Sequence, residues 1–160
     1  MTLMIPIKAT VNGHKVQKSV EPNQHLTDFL RLNLGLTGSH LGCEHGVCGA
    51  CSVRVNGEVI RGCLMLASQV DGAKIDTIEG VAESGEATRL IDAFVERNAL
   101  QCGFCTPGIV LTALEILGEK KALNRNEIRE ELAGNLCRCT GYHAIIDAVE
   151  SVLSAIRKEV

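Results

Sequence analysis

GCEHGVCGACSV, residues 42–53, spaces Cys43, Cys48 and Cys51 as C-x4-C-x2-C, and Cys63 follows twelve residues after Cys51. Gly42, Gly46 and Gly49 interleave these thiols. Glycine adopts positive φ without penalty, so a short loop can turn sharply and bring backbone N–H groups close to sulfur. The spacing is that of a plant-type [2Fe–2S] site. Structural zinc favours two knuckle-like C-x2-C pairs, which this is not. Working outward, the remaining four of the eight cysteines form a second set: Cys102 and Cys105 as C-x2-C, Cys137 and Cys139 as C-x-C. By spacing alone this second set leans to zinc, although it also suits two irons. Two complete sets of four thiolates imply two one-electron carriers, and so a relay.

Composition narrows the setting. The 160 residues suit one ordinary domain or two small ones. Hydrophobic residues make up 46%, enough for a core, but aromatics are 2%, so aliphatic side chains must do the packing. Net charge is −3, with 16 basic and 19 acidic residues well mixed. No basic block or aromatic platform suggests nucleic acid. The start, MTLMIPIKATV, has no basic region followed by a long apolar run, and no stretch approaches the roughly 20 apolar residues of a membrane span. The expectation is a soluble, cytoplasmic protein. In a reducing cytosol clustered cysteines bind metal more often than they form disulfides. Eight in 160 residues is also sparse for a disulfide scaffold.

The first half reads as β-rich. Ile5, Ile7, Ala9 and Val11 alternate with polar residues up to Asn12-Gly13, and Val16, Lys18 and Val20 come next, which predicts a hairpin with a type I′ turn. Pro6 should sit near the strand's start. Leu26, Phe29, Leu30 and Leu34 have helical spacing, with Gly35 as a C-terminal cap. Val53 to Ile60 around Asn56-Gly57 predicts a second hairpin, and Lys74 to Ile78 a closing strand. Together these fit a small β-grasp sheet crossed by a helix. Residues 79–86, EGVAESGE, read as a polar linker.

Beyond it the pattern is helical. Ala87, Leu90, Ile91, Phe94 and Val95 share one face; Pro107 suits a first helical turn; Ile109 to Leu117 is apolar nearly all round, which predicts a central helix. Asn124-x-x-Glu127 resembles a capping box, and Ile145, Ala148, Val149, Val152, Leu153 and Ile156 line a last helix. A weak repeat runs through this half: helix, Cys102 and Cys105, helix; then helix, Cys137 and Cys139, helix. It predicts a four-helix bundle of approximate two-fold symmetry. Each cysteine pair would lie at a helix N-terminus, where the dipole favours an anionic cluster. The predicted fold class is therefore α+β, with domains at 1–78 and 87–160 joined by the 79–86 linker.

The histidines read blandly. His45 is a solvated loop residue, since four cysteines already complete its site; His40 and His143 flank the two sites; His14 and His25 are surface residues. No Ser/His/Asp set, carboxylate pair or phosphate-binding glycine loop stands out. No catalytic residue is therefore assigned.

With these motifs in view, GCEHGVCGACSV, RGCLMLA (Arg61 to Ala67), QCGFCTPG (Gln101 to Gly108) and GNLCRCTGY (Gly134 to Tyr142) resemble the two-cluster iron–sulfur subunits of molybdenum hydroxylases, the xanthine dehydrogenase and carbon monoxide dehydrogenase superfamily. The resemblance spans nearly the whole chain. It implies a plant-ferredoxin-like domain followed by a four-helix domain. It implies that Cys102, Cys105, Cys137 and Cys139 hold the [2Fe–2S] cluster nearer molybdenum, and Cys43, Cys48, Cys51 and Cys63 the one nearer FAD. Gln101 and Cys139 would contact the pterin. Molybdopterin, often as its cytosine dinucleotide, would sit on a large partner subunit and FAD on a medium one, in a heterotrimer or a dimer of heterotrimers. Since the sequence ends at Val160, both groups are expected on separate chains. Ser39-His40 stands where Thr-Lys or Thr-Arg is common, and Phe104 where Tyr is also common; neither is a ligand position. The alternatives are a free-standing two-cluster carrier, for which QCGFCTPG would have no use, and a colourless zinc-stabilised interaction module.

Overall fold

A computed structural model describes residues 3–118 and 123–159; Met1, Thr2 and Val160, at the outer bounds of the two expected domains, lie outside the described residues. Strands β1 (Ile5–Val11) and β2 (His14–Val20) pair antiparallel from Ile5↔Val20 to Val11↔His14. Asn12 and Gly13 between them have φ of 50° and 80°, the double positive of a type I′ turn. Asn56 and Gly57, at 51° and 95°, do the same between β3 (Ser52–Val55) and β4 (Glu58–Arg61). Strand β5 (Lys74–Asp76) inserts between the hairpins, parallel to β1 and antiparallel to β3, giving the order β2-β1-β5-β3-β4.

Helix α1 (Leu26–Asp28) runs on as a wider π turn over Phe29–Asn33 and buries Leu26, Phe29 and Leu30 against Ile7, Val20, Val53 and Ile75 of the sheet. His25, expected as a surface residue, is instead this helix's N-cap: its Nδ1 accepts the Asp28 N–H at 3.2 Å.

The expected linker is in part a helix. Residues 79–86 overlap α2 (Ile78–Glu83), which buries Val81. Polarity hid it, because one apolar side chain is too few to reveal a helical face. Helices α3 (Thr88–Glu96), α4 (Thr106–Gly118), α5 (Arg125–Glu131) and α6 (His143–Glu159) complete the chain. Their core holds Leu90, Phe94, Ile109, Leu111, Ile128, Ile145 and Val149. Val95, read onto the α3 core face, is instead 64% exposed. The capping box at Asn124 is present, with Glu127 accepting back from the Asn124 N–H at 2.6 Å.

Helix α4 explains its all-round apolarity by position. One side packs on β3 and β4, another on α2 and α3. Its Glu115 accepts the Val59 N–H at 2.9 Å, satisfying a donor on the outer strand of the sheet. Arg54 on β3 donates to both carboxylate oxygens of Glu86 at 3.0 and 2.7 Å. The two halves therefore meet along α4 and β3, with both cysteine sets at one end of that seam.

Candidate functional site

The β3–β4 register assembles the first site. Ser52 pairs with Arg61 at the open end of the hairpin, so Cys51 and Gly62 face each other and Gly62 N–H bonds the Cys51 carbonyl at 3.1 Å. Cys63 thereby returns beside Cys51. The glycine-rich loop brings up the other pair, with the Cys48 N–H donating to Cys43 Sγ at 3.4 Å. Gly46 is needed there for its backbone, whose φ is +85°. Cys51 and Cys63 are buried, Cys43 and Cys48 half-buried.

The second site is built from two loops. Cys105 immediately precedes α4, whose first bonds include Ile109 N–H to the Cys105 carbonyl at 3.1 Å. Cys137 and Cys139 precede α6, and the left-handed turn there falls on Tyr142, φ 69°. That turn sends the Tyr142 hydroxyl back to accept the Cys137 N–H at 2.8 Å. Across the loops Cys139 Sγ lies 3.5 Å from Cys102 Sγ, and Cys105 meets Cys137. Cys137 is buried, Cys105 half-buried, and Cys102 and Cys139 are exposed.

The thiol chemistry differs from sulfur to sulfur. Hydrogen bonds from the Cys48 and then the His45 backbone pull Cys43 down to about 6. Burial, helped by the neighbouring Cys51, pushes Cys63 up to about 11. Burial and then Cys137 push Cys105 up to about 12. Cys137 is also pushed up by burial, but Thr140, through hydroxyl and backbone, and the Cys139 backbone together carry it below the usual thiol range. Cys139 is raised, first by the Cys102 thiol. Each of these groups could hold metal as a thiolate, since a bound cation deprotonates a coordinating thiol outright.

The arrangement fits diiron clusters. The thiols meet in pairs: Cys43 with Cys48, Cys51 with Cys63, Cys102 with Cys139, Cys105 with Cys137. A [2Fe–2S] cluster divides four cysteine ligands between two irons. Thr27 Oγ1 is buried without a partner among the described residues, next to the site where a Gly62 Cβ would sit. A hydroxyl donor is thus to spare beside the first site.

Every cysteine read as a ligand sits in one of these two groups. Gln101 is exposed next to Cys102. His45 is exposed and turned onto its own loop's Cys43 carbonyl. His40 does more than flank: it stacks on Phe104 at 4.7 Å between ring centres and donates from Nδ1 to the Phe104 carbonyl at 2.8 Å, joining the two cysteine loops. The sequence reading passed over Asn135, Thr112 and Arg61. Asn135 Nδ2 donates to the Gly49 carbonyl at 3.1 Å, and Arg61 to the Gly134 carbonyl at 2.7 Å. Asn135 and Arg61 both lie inside the quoted motifs, but nothing local marks an amide or a guanidinium as a bridge to another loop.

Comparison with known proteins finds two family matches along the chain. The family described as "2Fe-2S iron-sulfur cluster binding domain" matches residues 9–79, and that described as "[2Fe-2S] binding domain" matches 77–150. The chain is 50% identical to the caffeine dehydrogenase subunit gamma of Pseudomonas sp. strain CBB1, over 91% of this chain and 89% of that one. It is 43% identical to the xanthine dehydrogenase iron-sulfur-binding subunit of Escherichia coli O157:H7, over 91% and 92%. Among solved structures, quinoline 2-oxidoreductase from Pseudomonas putida 86 has a chain that superposes with a TM-score of 0.89 at 48% identity, covering 97% of each.

Proposed function

We infer the function from one premise: this chain belongs to the small iron–sulfur subunits of the xanthine dehydrogenase family of molybdenum hydroxylases. It is the electron-transfer subunit of a multi-subunit oxidoreductase and carries no substrate chemistry of its own. The observation that carries this reading is the pair of four-cysteine sites placed side by side, their loops hydrogen-bonded to each other. When bound, a [2Fe–2S] cluster takes up and passes on one electron at a time.

The protein's part is to hold and tune. Eight thiolates would anchor the clusters: Cys43, Cys48, Cys51 and Cys63 the first, Cys102, Cys105, Cys137 and Cys139 the second. The Cys48 N–H aimed at Cys43 Sγ, and Thr140 Oγ1 lying 3.1 Å from Cys137 Sγ, stabilise negative sulfur. Burial of Cys51, Cys63 and Cys137 keeps water from part of each site.

The exposed edge formed by Gln101, Cys102 and Cys139 is read as the face toward a large molybdopterin-binding subunit. Gln101 suits a pterin contact because its amide donates and accepts without charge, and Cys139 would lie beside it. The first site would then pass electrons to FAD on a medium subunit. The helical half is read as a four-helix bundle of approximate two-fold symmetry, supported by the two helix, cysteine-pair, helix units. The division into 1–78 and 87–160, and a cytoplasmic setting, are part of the same proposal. Among the described residues no helix is long and apolar enough to cross a membrane.

Iron and acid-labile sulfide analysis tests the reading. Two diiron clusters require about four irons and as many sulfides per chain. Zinc in place of iron at either site overturns it. Chains co-purifying with this one should carry molybdenum and flavin.

A further inference from the structure

The two cysteine loops press together backbone to backbone. A Cβ on Gly108 would lie 2.2 Å from the Gly49 carbonyl oxygen, and one on Gly49 would lie 2.5 Å from the Gly134 carbonyl oxygen. The Leu136 N–H bonds the Cys48 carbonyl at 2.8 Å. Cys48 belongs to the first site, and Leu136 adjoins Cys137 of the second.

At the centre of this contact is the side chain of Asn135, 1% exposed. Its Nδ2 donates to the Gly49 carbonyl at 3.1 Å, and its Oδ1 lies 2.9 Å from Thr112 Oγ1. The amide can point only one way, because the Gly49 carbonyl can only accept. That carbonyl also takes the Ser52 hydroxyl at 2.7 Å and the Ser52 N–H at 3.2 Å. Gly49, at φ +71°, is what turns its carbonyl toward them. Arg61 braces the same place, reaching Ser52 Oγ at 2.6 Å and the Gly134 carbonyl at 2.7 Å.

We propose that Asn135 is a positioning residue that sets the separation between the two cluster sites by clamping the Cys48–Cys51 turn onto the Gly134–Cys139 loop. This rests on the two-cluster reading above. Electron tunnelling falls exponentially with distance, so a relay needs its two stations held at one spacing. Apolar packing is non-directional, so it does not by itself fix one register between two loops. A buried amide with a donor fixed on one loop and an acceptor fixed by α4 does not slide, because movement leaves polar groups unpaired.

The test is Asn135→Asp in the full chain with both clusters. The change keeps shape but puts a second acceptor against the Gly49 carbonyl. Two readouts do not depend on turnover: the magnetic splitting between the two reduced clusters in EPR, and hydrogen exchange at the Leu136 amide. The expected result is a full iron complement, a narrowed splitting, and Leu136 exchange faster by roughly tenfold, as loss of one buried hydrogen bond implies. A merely structural Asn135 would lower the melting temperature and leave the splitting unchanged, and unchanged splitting overturns the proposal. Should Asn135→Asp fail to fold, Thr112→Val decides instead: it removes the hydroxyl that donates to the amide oxygen and should narrow the splitting by less. Unchanged splitting there overturns the proposal equally. Absence of diiron clusters in the unaltered chain would defeat the functional reading; clusters present with an unmoved splitting would defeat this inference alone.

Discussion

The two cysteine sites use the same four-thiol set but are built in opposite ways. The first is nearly local: one glycine-rich loop supplies Cys43, Cys48 and Cys51, and the β3–β4 hairpin register returns Cys63 to Cys51. The second depends on helices: Cys102 and Cys139, 37 positions apart, come within 3.5 Å across two loops, one leading into α4 and the other into α6. Exposure matches construction. The hairpin buries Cys51 and Cys63, whereas Cys102 and Cys139 stand open at the molecular edge. A local loop can wrap its own site; a site assembled between helix ends keeps an open side, and that side is where a partner can approach.

The largest expected effect tests whether the two sites are separable at all. Cys63→Ser should abolish one of the two EPR signals and remove about half the iron, leaving the other signal intact, since two cysteines per iron are needed. Cys105→Ser should do the converse. Loss of both signals in either variant would mean that the seam makes the sites one cooperative unit, and the comparison would collapse.

Next comes the seam itself. Gly49→Ala combines a left-handed backbone with an overlap against the fixed Gly134 carbonyl, and should destabilise the chain by about 3–5 kcal/mol. Gly103→Ala, at φ +80° with open space around it, has only the backbone term and should lose about 1–2 kcal/mol. Denaturant midpoints of the iron-loaded variants measure both. Equal losses would mean that the close approach of the loops carries no energy.

A smaller effect sharpens the second site alone. Tyr142→Phe strips the acceptor from the half-buried Cys137 N–H. It should destabilise by about 1–2 kcal/mol and shift the reduction potential of the second cluster only. A potential shift at the first cluster would contradict the assignment.

The smallest effect concerns the ion pair between the halves. The Arg54 guanidinium, by hydrogen bond, holds Glu86 below its ordinary 4.5. A carboxylate with a lowered folded value stabilises the protein above its unfolded value, and that contribution disappears as pH falls through the folded one. Glu86 is 46% exposed, so Glu86→Gln should lose at most about 1 kcal/mol at pH 7. The two proteins should converge in stability as pH drops below the ordinary carboxylate range. A gap that persists at strongly acid pH would exclude the ion pair as its cause.

Much of this was legible in one dimension. The grouping of the eight cysteines into two sets, the type I′ turn at Asn12-Gly13, the second hairpin at Asn56-Gly57, the capping box at Asn124 and the central place of α4 all rest on spacing or on single-residue backbone chemistry, which local sequence determines. Cysteine spacing speaks because a loop of a few residues has few ways to converge thiols, and Asn-Gly speaks because few other residues accept two positive φ values in a row. Helix α2 was hidden because one buried valine leaves no period to read. His25 was hidden because a histidine becomes a cap only through the N–H that its ring reaches in the folded chain. Only the tertiary structure could decide that Asn135 and Arg61 bridge the two sites and that Thr112 meets the Asn135 amide from α4. The partners of Asn135 and Arg61 lie on other loops: Gly49 is 86 positions from Asn135, and Gly134 is 73 from Arg61. A hydrogen bond over such a separation leaves no period, no spacing and no turn signal in the chain; it exists because β3 and α4 pack face to face and bring two glycine carbonyls within reach.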